Sequence, residues 1–181
     1  MGVNSSIKTS QDTAMRQVIN SQLEVGQVDI SKLKFDPKSR DDIPKILRGL
    51  QYIYITPNLR EPIFALLEKE IAPKVNKNTG RPGMELWRVF VLGILRLELN
   101  CDYDRLHSLA NNYSDIRQML GHTDFYDKTE YNLQTIKDNV SLLTPELLEQ
   151  INTIVVNGGH ELVKKKVHRT SAAWAVRQLC R

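Results

Sequence analysis

The chain has 181 residues, 41% of them hydrophobic, which is enough for one full core or for two small helical subdomains that share one. Lys and Arg number 25 against 21 Asp and Glu, but six of the basic residues lie from Lys164 onward, where there is no carboxylate. The preceding part therefore has a net charge of −2. Overall charge is thus no argument for nucleic-acid binding, which only local basic patches can support.

Cysteines and apolar runs indicate the compartment. Cys101 and Cys180 stand alone, without a second cysteine at metal-site or redox-motif spacing, so we expect a reduced, cytoplasmic chain. The first 17 residues contain no apolar segment of signal-peptide length. The longest apolar run, Val89 to Leu95, is far shorter than the roughly 20 residues of a membrane span. We expect no membrane association.

The first third of the chain divides into an arm and two helices. Residues 1–38 are polar and weakly patterned, and we predict a flexible N-terminal arm there. From Ser39 apolar residues recur at helical spacing, and Pro44 suits a first helical turn. This pattern predicts one helix that ends at Thr-Pro-Asn. A second helix then begins near Pro57 and ends before Pro73.

The next stretch, "APKVNKNTGRPG", has the Asn, Gly and Pro residues of a loop and three basic residues without a carboxylate. After it, "MELWRVFVLGILRLELN" is apolar on most helical faces, which is typical of the central helix of a bundle. Two short helices are predicted over Tyr103 to Asn111 and Ser114 to Leu120, in the outline of a helix-turn-helix. A helical face from Leu133 and a last helix begun by Thr144 and Pro145 complete an all-α bundle.

Residues that could carry catalysis do not form a recognisable site. The four histidines pair neither with each other nor with cysteine at metal-ligand spacing. Asp102 and Asp104 could hold a divalent ion, but their place at a helix start is better explained as capping. Nucleophile motifs and a phosphate-binding glycine loop are missing from the sequence. We therefore predict no catalytic residue, no metal ligand and no enzymatic activity.

Basic and amide side chains around the predicted helix-turn-helix form a candidate DNA surface. They supply the donors that phosphates and base edges need. The candidate residues are Lys74, Lys77, Arg81, Arg105, Asn111 with its neighbour Asn112, Arg117, Lys128, Gln134 and Lys137. Plain packing of a small α bundle is the alternative explanation of the same outline.

Three stretches, "SRDDIPKILRGLQYIY", "NKNTGRPGMELWRVFVLGILRLELNCDYDRLHSLAN" and "RQMLGH", resemble the N-terminal region of bacterial insertion-sequence transposases of the ISNCY type. The front half of that type is similar to the domain that begins InsH-type transposases. The resemblance covers about Gln22 to Lys166. It implies that residues 39–166 are a helical, double-stranded-DNA-binding region that recognises terminal inverted repeats, in a nucleoid-associated bacterial protein.

The resemblance also implies an RNase H-like catalytic domain that should follow, with acidic residues and two Mg²⁺ ions. We expect that domain to be absent here, so this chain itself needs no cofactor. Family members are expected to continue past Lys-Lys-Lys with a segment close to Gly-Arg-Cys-Asp-Ser-Phe-Val-Val. That segment can be encoded by a DNA that, read from one nucleotide earlier with a T in front, translates as "WAVRQLCR", the last eight residues. We therefore interpret 167–181 as an out-of-frame, irregular or disordered tail. The alternative is a natural basic tail that touches DNA phosphates.

These observations predict a truncated transposase fragment that binds the ends of an insertion sequence without catalysing transposition, and that competes with intact transposase. A protein-interaction module is the first alternative: the last helix, with Leu147, Ile151, Ile154 and Leu162 on one face, would form a homodimer or a heteromer with intact transposase. A decayed gene product without function is the second.

Overall fold

The computed structural model describes residues 17–19, 23, 25–71, 83–123 and 127–159. All regular structure in these ranges is helical, without a strand, which confirms the all-α class. The helices are α1 Ile43–Ile55, α2 Pro57–Ile71, α3 Leu86–Glu98, α4 Tyr103–Asn112, α5 Ser114–Met119, α6 Leu133–Val140 and α7 at 145–159. Most of the predicted loop at 72–83 and the whole tail from 160 lie outside the described residues.

Local side-chain caps explain where several helices begin. The Asp102 carboxylate accepts a hydrogen bond from the Arg105 backbone N–H at 2.8 Å, which confirms the prediction that Asp102 caps α4. The Asn132 side chain likewise accepts from the Gln134 N–H at 2.8 Å and begins α6. Thr144 does the same for α7 through the Leu147 N–H at 3.3 Å. These caps satisfy N–H groups that a helix start leaves unpaired.

Helix α3 is the centre of the bundle, as its apolar sequence predicts. Eight of its 13 residues are buried, and it packs against α1, α2, α4 and α6. Trp87, 1% exposed, lies among the rings of Tyr54, Phe64 and Phe90 at centroid distances of 5.2 to 6.0 Å. The Trp87 indole N–H donates to the Met119 carbonyl at 3.0 Å, which ties α3 to the end of α5.

The described part of the predicted N-terminal arm is packed on the bundle. Ile30 and Leu33 are buried, and the Gln51 side-chain amide donates to both of their carbonyls at 2.8 and 2.9 Å. The carbonyls of Gln17 and Val18 accept from the first two N–H groups of α3, where no side chain caps the helix. This segment therefore stabilises the central helix, a contribution that its short and irregular apolar pattern did not predict.

Helix α7 continues through Gly158 and Gly159, although each glycine costs on the order of 1 kcal/mol inside a helix. At Gly158 a Cβ atom would lie 2.5 Å from Leu59 Cδ2, so a glycine permits α7 to approach α2 closely. Within the described residues, no helix combines the length and the apolarity needed to cross a bilayer.

Candidate nucleic-acid interface

The two short helices predicted as a helix-turn-helix are present, with bounds that differ by one residue from the prediction. Their connection is a single extended residue, Tyr113, and α5 has only six residues. Asn111 and Asn112 therefore belong to the end of α4 and not to a separate turn. The outline is confirmed, but the turn is tighter than the three to four residues of a standard helix-turn-helix.

Helices α4 and α6 lie side by side in opposite directions. The Tyr103 ring at the start of α4 meets Lys137 in the last turn of α6. At the other end of α4, Asn111 meets Tyr131, which lies just before α6. The two helices are therefore neighbours, and most of the candidate DNA contacts that the structure describes lie on them or in the segment before α6.

The segment Asp127–Tyr131, which leads into α6, is held by side chains from α4. The Asn111 amide donates to the Tyr131 carbonyl at 3.1 Å, and its oxygen accepts from the Tyr131 N–H at 2.8 Å. His107 Nε2 donates to the same carbonyl at 2.8 Å. Because Asn111 satisfies both backbone groups of Tyr131, it fixes the position at which α6 begins.

Arg117 of α5 holds the other end of the Asp127–Tyr131 segment. Its two terminal nitrogens donate to the carbonyls of Thr129 at 3.0 Å and Asp127 at 2.8 Å. Arg117 and Asn111 are thus engaged with the backbone of this chain, and their role as DNA contacts stays a prediction. The residue types show that both side chains are hydrogen-bond donors, but the sequence does not show which carbonyls accept, because those lie 10 to 20 residues further along the chain.

A buried polar cluster of His122, Asp127 and Tyr131 completes the attachment. His122 is 3% exposed, its Nδ1 contacts the Asp127 carboxylate, and its Nε2 lies 2.6 Å from the Tyr131 hydroxyl. A neutral ring satisfies both contacts, as a donor to Asp127 and an acceptor from Tyr131. In the sequence His122 has no partner at metal-ligand spacing, and neither its spacing nor its neighbours indicate burial.

The electrostatics of the cluster favour that neutral ring. Burial lowers the pKa of His122, and the hydrogen bond with Asp127 only partly opposes the shift. Burial alone would raise the pKa of Asp127, but hydrogen bonds from Thr129 and His122 hold it well below its usual value. Burial raises the pKa of Tyr131 to about 12. At neutral pH the cluster therefore contains one carboxylate and two neutral rings.

The remaining candidate contacts have mixed surroundings. Arg105, Lys128 and Gln134 are exposed. The Gln134 amide donates to the Asp138 carboxylate at 2.7 Å, one turn further along α6. Lys137 is partly buried over the Tyr103 ring. Gln134 and Lys137 both lie on α6, and of the two Lys137 is the one beside the start of α4. The three loop residues Lys74, Lys77 and Arg81 lie outside the described residues.

Metal ligands and known relatives add no further constraint. In the part of the chain that the structure describes, no three His, Cys, Asp or Glu residues are grouped so that they could hold a metal ion. No protein-family model, no curated protein and no solved structure matches the chain.

Proposed function

We propose that this chain binds double-stranded DNA through the outer surface of α4 and α6, with the terminal inverted repeats of an insertion sequence as its specific target. The observation that carries the proposal is the attachment of the Asp127–Tyr131 segment. Four side chains, those of His107, Asn111, Arg117 and His122, hold it from α4, α5 and the turn after α5. A helix that reads base edges must be held to a fraction of an ångström, and this attachment supports α6 in that role.

The size and chemistry of α6 suit a groove. Its eight residues span about 12 Å at 1.5 Å per residue, comparable with the width of the DNA major groove. The polar side chains of Gln134 and Thr135 are exposed, and Gln is a side chain that pairs with adenine through two hydrogen bonds. Lys128, just before α6, and Lys137, in its last turn, supply charge for the phosphates beside the groove.

The proposal assigns DNA binding, and not strand cleavage, to this chain. A chain that occupies the terminal repeats without cleaving them competes with a transposase for the same DNA, so it represses transposition. The alternative of a dimerisation module has less support, because Leu147 and Ile151 of its proposed face are 2% and 4% exposed within this chain. Those side chains are already covered by the bundle.

Fluorescence anisotropy with the full chain tests the proposal. The probe is a labelled terminal-repeat duplex of the insertion sequence that carries the gene, against a scrambled duplex of the same composition. We expect Gln134→Ala to lose roughly tenfold in preference for the repeat, since a paired base contact is worth about 1–3 kcal/mol. Arg105→Gln removes a cation that would contact a phosphate, so it should weaken binding to both duplexes equally. Lys69→Gln on α2 is the matched surface control. Equal affinity of the wild type for both duplexes would overturn the proposal of specific recognition.

A further inference from the structure

Two cations from different helices meet on one aromatic ring. Arg96 Cζ, from the last turn of α3, lies 4.3 Å from the centroid of the Tyr103 ring. Lys137 Nζ, from the last turn of α6, lies 6.0 Å from the same centroid. The two charges are therefore no more than about 10 Å apart, a separation comparable with the screening length at about 0.1 M salt.

Neither cation has a neutralising partner among the described residues. The ion pairs found there join other residues, for example Arg88 with Glu85 at 3.3 Å on the same helix as Arg96. The Nε atom of Arg96 is buried and has no hydrogen-bond acceptor. The ring of Tyr103 attracts each cation but leaves both formal charges in place.

A cation in the last turn of a helix also interacts favourably with the helix dipole, and this interaction alone would explain the position of either residue taken singly. The dipole does not explain why the two side chains converge on one ring at the junction of α3, α4 and α6. Two cations that lie within about 10 Å of each other, and that form no ion pair among the described residues, can bind one anion with several oxygens. A guanidinium and an ammonium together suit a phosphate, because the first donates in a plane and the second adapts to the remaining oxygens.

We infer that Arg96, Tyr103 and Lys137 form a phosphate clamp that binds the DNA backbone beside α6. The inference rests on the proposed function, and it adds Arg96 and Tyr103, which the sequence did not single out. Phosphate contacts set the orientation of a protein on the duplex, while base contacts set its specificity. Because Lys137 lies on α6 itself, a phosphate held by the clamp fixes the position of Gln134 along the groove.

The first test measures the salt dependence of DNA binding by the full chain. Arg96→Gln and Lys137→Gln should each reduce the slope of log affinity against log salt by about 1. Each should also lower the affinity for the terminal-repeat duplex and for the scrambled duplex by the same factor, roughly five- to tenfold. Lys45→Gln is the control, since Lys45 is exposed on α1 and paired with Asp42 at 2.8 Å. Its slope should equal that of the wild type.

The second test does not depend on DNA. Inorganic pyrophosphate, titrated into the full chain, should raise the Tm of the wild type and of Lys45→Gln, and should raise it much less in the Arg96→Gln/Lys137→Gln double variant. Unliganded Tm values of all variants show whether each is folded before it is compared.

The two tests separate the clamp from the proposed function. Reduced slopes together with lost pyrophosphate stabilisation support both. An unchanged slope in Arg96→Gln, with a wild type that binds DNA, overturns the clamp and leaves the proposed function standing. If the wild type binds no duplex, the proposed function fails. In that case, if pyrophosphate raises the Tm of the wild type but not of the double variant, an anion site is still supported. If pyrophosphate does not raise the Tm of the wild type, the clamp is overturned as well.

Discussion

Replacement of Asn111 by Ala separates a structural role of this side chain from a role in DNA contact. The variant leaves the Tyr131 N–H, which Asn111 accepts at 2.8 Å, without its partner, at a cost of about 1–3 kcal/mol. It also removes the bond to the Tyr131 carbonyl, worth about 1 kcal/mol, although His107 still donates to that oxygen. Alanine returns roughly 0.5 kcal/mol of helix propensity. The expected loss in free energy of unfolding is therefore about 2 kcal/mol.

Asn112→Ala is the matched control for this prediction. Asn112 is the next residue of the same helix and is exposed, and its amide donates to the Ser108 carbonyl at 2.9 Å and to the Ser108 hydroxyl at 3.5 Å, one turn back. That bond is offset by the better helix propensity of alanine, so we expect a change within about 0.5 kcal/mol.

Urea unfolding followed by far-UV circular dichroism measures the difference. With a slope of about 2 kcal/mol per molar urea, the midpoint of Asn111→Ala should fall about 1 M below that of Asn112→Ala. Coincident midpoints would refute the assignment of Asn111 as the residue that fixes the start of α6. Coincident midpoints with a large loss of DNA affinity would show instead that its amide contacts DNA.

Two further predictions concern stability. Because the pKa of His122 in the folded chain is below its usual 6.5, the contribution of this residue to stability should be fully present above that pH and decline on acidification below it. The contribution of Asp127 should decline below its usual 3.8. His122→Gln should show a smaller first decline in urea midpoints measured against pH, and an equal decline would contradict the assignment. Gly93→Ala places a methyl group against Leu143 and should destabilise by about 1–3 kcal/mol in the same assay, less any gain in helix propensity. In a Leu143→Ala background the cost should largely disappear, and an unchanged cost would show that the two residues are not coupled.

Sequence patterns predicted the helices well because helix starts and apolar faces are local signals. Pro44, Asp102 and Thr144 each lie where the structure places a helix start. The apolar run after the loop predicted the central position of α3, since a helix without a polar face has nowhere else to lie.

The polar contacts of the candidate site were beyond sequence reasoning. Asn111 and Arg117 carry the donors that a DNA contact needs, yet each donates to backbone carbonyls that only the fold brings close. No sequence pattern indicates that His122 is buried, because its burial depends on the packing of the segment before α6. Arg96 and Lys137 are 41 positions apart in the sequence and meet only through Tyr103.

Specific recognition of the terminal repeats is tested by anisotropy binding of the purified full chain to terminal-repeat and scrambled duplexes at two salt concentrations. We expect tighter binding to the repeat at both salts, with a preference that survives the higher salt because base contacts are less screened than phosphate contacts. Weak binding that is equal for the two duplexes and falls steeply with salt would contradict it. Such a result would reduce the interaction to attraction between basic side chains and DNA of any sequence.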